Sequence, residues 1–225
     1  MDIGKVTTID HPIFDESVRF IRSRLHCPEL DKLEVQVLER LIHTTGDFGI
    51  QDYLTFSPNA CQLGVAALQA GAPILTDTFM AAAAVNPMAS RTMQSSVHCI
   101  LDWAPKKGHS GLTRTALGIE SAWTDLSKNF NNESSPIILF GSAPKALEVL
   151  LGLIANGALS PSLIIGMPVG FISVLESKML LSQMDLPQIR IDGNRGGAAM
   201  AAATVNALLR ASWNIKQTNK KLSAE

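Results

Sequence analysis

His43 stands in the segment "ERLIHTTGD", in the last turn of a helix that stops at Gly46. An imidazole there meets the partial negative charge of the unbonded helix carbonyls, which predicts a pKa above the ordinary histidine value. A histidine poised near neutrality can give a proton to a bound molecule and take it back. The plainer reading is a helix-end histidine with an electrostatic role only. No serine or cysteine forms a recognisable nucleophile motif with it, so the sequence lends covalent catalysis no support. Of the five histidines, His11, His26 and His109 read as solvent-facing. His98, inside the apolar run "VHCIL", reads as a satisfied core residue.

A second group of residues is defined by bareness. The segments "GSAPKA" from Gly141, "GMPVGF" from Gly166 and "GNRGGA" from Gly193 each follow an apolar run and open a helix. Helix starts carry free N–H groups that favour anions. Any one of these loops is explained by glycine permitting a tight turn; three together point to a shared site. They do not spell a nucleotide site. Gly193, Gly196 and Gly197 lack the G-x-G-x-x-G spacing and no acidic residue lies ~20 positions beyond, while 141–146 is not G-x-x-x-x-G-K-[ST]. The loop around Arg195 reads instead as cleared for something large and flat, with backbone N–H groups reaching carboxylates at its edge.

An α/β framework must position these groups. Short apolar runs at "PILTD", "VHCIL", "PIILF", "SLIIG" and "PQIRI" predict about five strands, continuous rather than alternating in polarity and so covered on both faces of a mainly parallel sheet. Helices are predicted near 78–85, 114–129, 144–156, 171–183 and 197–211. Three more precede the sheet: one from Pro12, one from Asp31 with Glu34 completing a capping box and Gly46 ending it, and one opening at Ser57-Pro58 and ending at Gly71. The fold class is thus a single doubly wound α/β domain over residues 1–225, with N-terminal helices and a polar, frayed tail beyond about 213–216. The stretches 105–111 and 129–135 read as exposed loops.

Composition narrows the classes further. A chain of 225 residues with 46% hydrophobic and 17% charged residues can bury an extensive core and is not disordered. A net charge of −1 without basic clusters argues against nucleic acid and anionic lipid. Cys27, Cys61 and Cys99 form no C-x-x-C pair, which suggests a reducing compartment and no structural zinc. Neither a signal peptide nor a run of ~20 apolar residues is present, so a soluble cytoplasmic protein is expected.

The segments "RLIHTTGD", "GAPILTDTFM", "LTRTALGIE", "GSAPKAL", "IIGMPVGFISVLESK" and "GNRGGAAMAAATVNAL" together resemble the precorrin-8X methylmutase family, which includes the cobalt-precorrin-8 methylmutases, over about residues 10–210. The resemblance implies a flavodoxin-like fold, a homodimer, and a cofactor-free isomerase of cobalamin biosynthesis. That isomerase shifts a methyl group from C-11 to C-12 of a corrinoid tetrapyrrole, giving hydrogenobyrinate or, with cobalt, cobyrinate. By the same resemblance His43 protonates the macrocycle and Ser17, Arg40 and Arg114 contact it. The three loops, with Gly141, Ser142, Gly166, Gly193, Arg195, Gly196 and Gly197, are expected around the substrate, and no protein-bound metal is expected. The chain departs from the family pattern at Ser142, Lys145 and Ala198, which touches ligand detail rather than reaction class. A corrinoid-binding protein without turnover, or a nucleotide-binding flavodoxin-like module, are the rival readings.

Overall fold

The computed structural model describes residues 11–107, 111–128 and 135–222. His109 and the greater part of the 129–135 stretch lie outside these residues. The chain runs through α1 (Pro12–Arg22), α2 (Lys32–Thr45), a 3₁₀ turn (Phe48–Asp52), β1 (Leu54–Phe56) and α3 (Ala60–Gln69). Then come β2 (Ile74–Thr76), α4 (Phe79–Arg91), β3 (Val97–Cys99), a short 3₁₀ turn (Ile100–Asp102) and α5 (Arg114–Leu126). The remainder is β4 (Ile137–Phe140), α6 (Pro144–Ala155), β5 (Leu163–Gly166), α7 (Val174–Ser182), β6 (Gln188–Ile191) and α8 (Ala198–Leu222).

The strands form one sheet in the order β1-β6-β5-β4-β2-β3. All neighbours are parallel except β1, which pairs antiparallel with β6. Alternate strand residues separate two cores. Ile74, Ile137, Leu139, Leu163, Ile165, Ile189 and Ile191 face α2, α3, α4 and α8. Leu75, Ile138, Phe140 and Ile164 face α5, α6 and α7. Apolar residues on both sides of β4 and β5 explain why those strands read as unbroken apolar runs.

The predicted caps of α2 form as drawn. Asp31 Oδ1 accepts from the N–H groups of Leu33 and Glu34, and the Glu34 carboxylate accepts from the Asp31 N–H. Gly46 closes the helix in the left-handed region at φ 67°, where a side chain would be strained. Elsewhere the local signals were overridden. A sixth strand, β1, occupies the sheet edge. Ser57 does not cap α3: its hydroxyl accepts from the Gln188 N–H and its own N–H bonds the Gln188 carbonyl, extending the β1–β6 pairing. Asn59 takes the N-cap position instead. Helix α4 runs through Pro87 rather than stopping before it, and the Asn206 amide donates to the Ala84 carbonyl beside that interruption. The tail expected to fray continues as α8 through Leu222.

One buried carboxylate holds the rim of the sheet. Asp77, at the end of β2, is fully buried. Its Oδ2 accepts from the N–H groups of Gly141, Ser142 and Ala143, at 2.9, 2.6 and 2.9 Å, in the turn after β4. Burial pushes this carboxyl's pKa up while the three amide donors pull it down. The turn they fix brings Gly141 against the start of α8, where an added Cβ would lie 2.5 Å from the Ala198 Cα. Asp77→Ala removes the acceptor from three donors in this turn, so it should lower stability by on the order of 3 kcal/mol. Asp77→Asn, which retains one acceptor oxygen, should cost less. Urea unfolding midpoints of the three proteins check this ordering, and equal midpoints would contradict it.

Candidate active site beside the end of helix α2

Helix α1 lies against the C-terminal half of α2, and beside their contact is an open cavity of about 570 Å³. Ile13, Glu16, Ser17 and Phe20 line it from α1, and Ile42, His43, Gly46 and Phe48 from the other side. Its volume lies within the range of small-molecule sites. The His43 ring meets Phe14 edge-on, with centroids 5.1 Å apart. Ser17 donates its hydroxyl hydrogen to the Ile13 carbonyl one turn back, at 3.0 Å. Arg40, one turn before His43, holds its guanidinium 4.9 Å from the centre of the Phe14 ring. It lines a separate groove of about 310 Å³, together with Arg19, Arg22, Glu39 and Arg210.

The structure therefore brings Ser17, His43 and Arg40 together. It places the other expected site residues elsewhere. The loops at Gly141, Gly166 and Gly193 do share one rim, since they follow the adjacent parallel strands β4, β5 and β6. They bond one another: the Val169 N–H to the Gly141 carbonyl, the Gly197 N–H to the Met167 carbonyl, and the Gly170 N–H to the Asn194 carbonyl. None of their residues lines the His43 cavity. Gly141, Gly166 and Gly196 answer to packing within the chain. Gly196, at φ 150°, lies where a Cβ would strike the Met167 carbonyl, and a Cβ on Gly166 would strike Leu181. Ser142, like Gly141, gives its N–H to Asp77. At Gly193 and Gly197, by contrast, an added Cβ would meet nothing nearer than 3.9 Å.

The link between this rim and His43 is Arg195. Its Nη1 pairs with the Asp47 carboxylate at 2.9 Å, just past the end of α2, and its guanidinium stacks on Tyr53 at 4.6 Å. Lys178 pins the same loop from below. This buried side chain donates to the carbonyls of Gly193 and Arg195, both at 2.7 Å, and burial lowers its pKa to about 8. Asp77 and Lys178 were not singled out from sequence. An acidic residue closing a buried strand, and a lysine within the apolar run "VLESKMLL", were the available signals.

Arg114 starts α5, on the opposite face of the sheet, and its Nε donates to the Pro105 carbonyl at 3.0 Å. Lys145 forms an exposed ion pair with Glu148 at 2.7 Å. His98 is half-buried against the edge of Trp103. His11 caps α1, its Nδ1 accepting from the Ile13 N–H at 3.3 Å, and His26 is exposed. Among the described residues no group of three or more His, Cys, Asp or Glu is arranged to hold a metal, and no helix is long and apolar enough to cross a membrane.

A family profile described as precorrin-8X methylmutase matches residues 12–211. This chain belongs to the precorrin-8X methylmutase family. Among relatives, a cobalt-precorrin-8 methylmutase of Synechocystis sp. is 34% identical, the match covering 91% of this chain and 97% of the relative. A precorrin-8X methylmutase of Pseudomonas aeruginosa is 39% identical over 80% of this chain and 83% of the relative. A crystal structure of a precorrin-8X methylmutase from Thermus thermophilus superposes with a TM-score of 0.78 at 33% identity, covering 90% of this chain and 96% of that one. The methylmutase family assignment makes the chain an isomerase, which favours neither a corrinoid binder without turnover nor a nucleotide-binding module. The amides after β4 that would cradle a phosphate are already taken by Asp77.

One expectation for His43 is overturned. Its pKa is lowered, not raised: partial burial disfavours the imidazolium, and the positive charges of Arg40 and Arg210 add to that. The carbonyls at the helix end are partly occupied, since the Gly46 N–H bonds the Ile42 carbonyl. The sign for stability follows. With a folded pKa below the unfolded value, the unfolded chain binds the proton more readily. His43 therefore begins to cost stability as pH falls through its unfolded pKa, near 6.5. In a carbon-detected NMR titration of the free protein, His43 should titrate below that ordinary value; a midpoint above it would contradict the electrostatics described here.

Proposed function

We propose that the chain carries out the methyl shift from C-11 to C-12 of a corrinoid macrocycle in cobalamin biosynthesis, with His43 as the group that supplies and recovers a proton. Family membership carries the reaction class. The single observation that carries the site is the shared cavity of Ser17 and His43, with the Arg40 guanidinium beside it across Phe14. A concerted shift needs no nucleophile. It needs a macrocycle held in the reactive tautomer and orientation.

In this reading the apolar wall of Ile13, Phe20, Ile42 and Phe48 receives the ring edge, Ser17 hydrogen-bonds it, and Arg40 meets a carboxylate arm. A lowered pKa makes the His43 imidazolium a stronger acid, which favours donation, at the cost of a smaller charged population at neutral pH. Arg114 and the rim residues Ser142 and Arg195 are engaged within the chain, so any contact they make with substrate comes second to a structural duty. Relatives carry both metal-free and cobalt names, so either precorrin-8X or cobalt-precorrin-8 is a candidate substrate.

His43→Asn keeps the approximate size and a hydrogen bond but cannot donate a proton at neutral pH. It should fold, bind the rearranged product and convert substrate at least ~100-fold more slowly. Single-turnover absorbance with metal-free and cobalt-loaded substrates, paired with a product titration, measures both properties. Near-normal turnover would remove His43 from the chemistry, and product binding by the unchanged protein without conversion would favour a silent corrinoid binder.

We also propose a homodimer, located in the cytoplasm. Three free cysteines are in keeping with a reducing compartment. The dimer is supported by an uncovered apolar strip on the loop after β5 and on α7, where Phe171 and Ile172 are 86% and 82% exposed and Leu175, Met179 and Leu180 lie alongside. Sedimentation should give twice the chain mass, and Phe171→Asp should shift it toward the monomer. A monomeric unchanged protein would refute the proposal.

A further inference from the structure

We propose that the Glu16 carboxylate, which shares its cavity with His43, stabilises the positive charge that the macrocycle gains when His43 protonates it. The inference rests on the function proposed above and adds to it a residue and the charge that residue meets.

Among the described residues that line this cavity, two are ionisable: His43 from α2 and Glu16 from α1. The remaining side chains are apolar apart from Ser17, whose hydroxyl hydrogen goes to the Ile13 carbonyl. Glu16 faces the cavity because Ile13, Glu16, Ser17 and Phe20 recur at helical steps and share one face of α1. Its carboxylate has no ion pair among the described residues. The place for an acid in the first turn of α1 is held by Asp15. The other charges around α1 and the end of α2 lie elsewhere. Asp15, Arg19 and the Arg22–Glu39 pair, with Arg40 from α2 and Arg210 from α8, line the separate groove. Asp47, beyond the end of α2, is paired with Arg195.

The position of this carboxylate suits the reaction rather than the free protein. Burial, Arg40 and Arg210 lower the His43 pKa, and Glu16 is not among the causes, so it does not hold the imidazolium charged in the free protein. When the imidazolium gives its proton to the macrocycle, His43 becomes neutral and the ring gains one positive charge inside the cavity. A bound ring displaces water from before Glu16, so their attraction is screened less than that between exposed groups. The product has returned the proton to His43 and keeps no such charge. Glu16 therefore favours the protonated ring over both substrate and product, and only a contact of that differential kind speeds the reaction. The same carboxylate repels acetate and propionate arms, which turns the conjugated edge of the ring toward His43.

The test is a charge series at this exposed position: Glu16→Asp, Glu16→Gln and Glu16→Lys beside the unchanged protein. Each is assayed for single-turnover conversion and titrated with hydrogenobyrinate. Glu16→Gln should convert roughly tenfold more slowly, a smaller loss than at an enclosed donor because this cavity is open. Glu16→Asp should fall between it and the unchanged protein, and Glu16→Lys should be slowest. Affinity for hydrogenobyrinate should hold or rise along the series, since its arms meet less repulsion. A glutamate with a structural role alone would lose rate and affinity together, in no order of charge. Should one variant fail to fold by circular dichroism, the other two still fix the order. Glu16→Gln turnover within twofold of the unchanged protein, rates that do not follow charge, or affinity that falls with rate overturns the role of Glu16 alone, provided the unchanged protein converts and His43→Asn is slow. An unchanged protein that does not convert, or His43→Asn as fast as the unchanged protein, overturns the proposed function and this role with it.

Discussion

The Asp77 carboxylate, buried at the end of β2 and accepting three N–H groups from the turn after β4, is the contact from which the rest of the arrangement follows. In open α/β sheets those amides commonly point outward at the rim and receive a ligand's anion. Here an internal anion takes that place. The turn is drawn inward, Gly141 meets the first residue of α8, and α8 crosses the sheet to pack on α2, α3 and α4. Helix α2 is thereby held, and with it the position of His43.

The cavity that holds His43 lies on the flank, between α1 and α2. That location changes the electrostatics available. At the rim the fixed charges would be backbone dipoles; on the flank they are side-chain guanidiniums that α2 and α8 bring to one phenylalanine. The loop around Arg195 still serves the site, though indirectly. It is clamped by Lys178 beneath and tied by Arg195 to Asp47, so it braces the end of the helix that carries His43.

The framework was legible in the residues wherever local and global preferences agreed. The capping box of Asp31 and Glu34, the Gly46 stop and the parallel strands are of this kind. The failures have physical causes. β1 is three half-buried residues at an edge, too short for any periodicity, and Ser57 looked like a helix cap because nothing local reveals that Gln188 will claim it. Pro87 should have ended α4, but packing against α8 and the Asn206 amide outweighed the local cost. For the site, Ser17 and His43 were placed together by resemblance and the structure agrees in geometry. The direction of the His43 shift was missed because it depends first on burial by the packed helices, then on Arg40 and on Arg210, 167 residues away in sequence. Gly141, Gly166 and Gly196 show a related limit: a glycine needed for a close approach within the chain looks the same in sequence as one that makes room for a ligand.

The strand order carries a consequence for biosynthesis. β1 emerges early, yet among the described residues its one partner in the sheet is β6, and the apolar faces of α2, α3 and α4 are covered by α8. While the ribosome is still translating the middle of the chain, these faces lack the α8 surface that covers them. The N-terminal third must therefore wait, exposed, until residues beyond about 200 have left the exit tunnel, and contacts of such long sequence separation close slowly. For this topology the hazard of nascent-chain aggregation is concentrated before termination, and demand for a holding chaperone should be greatest there.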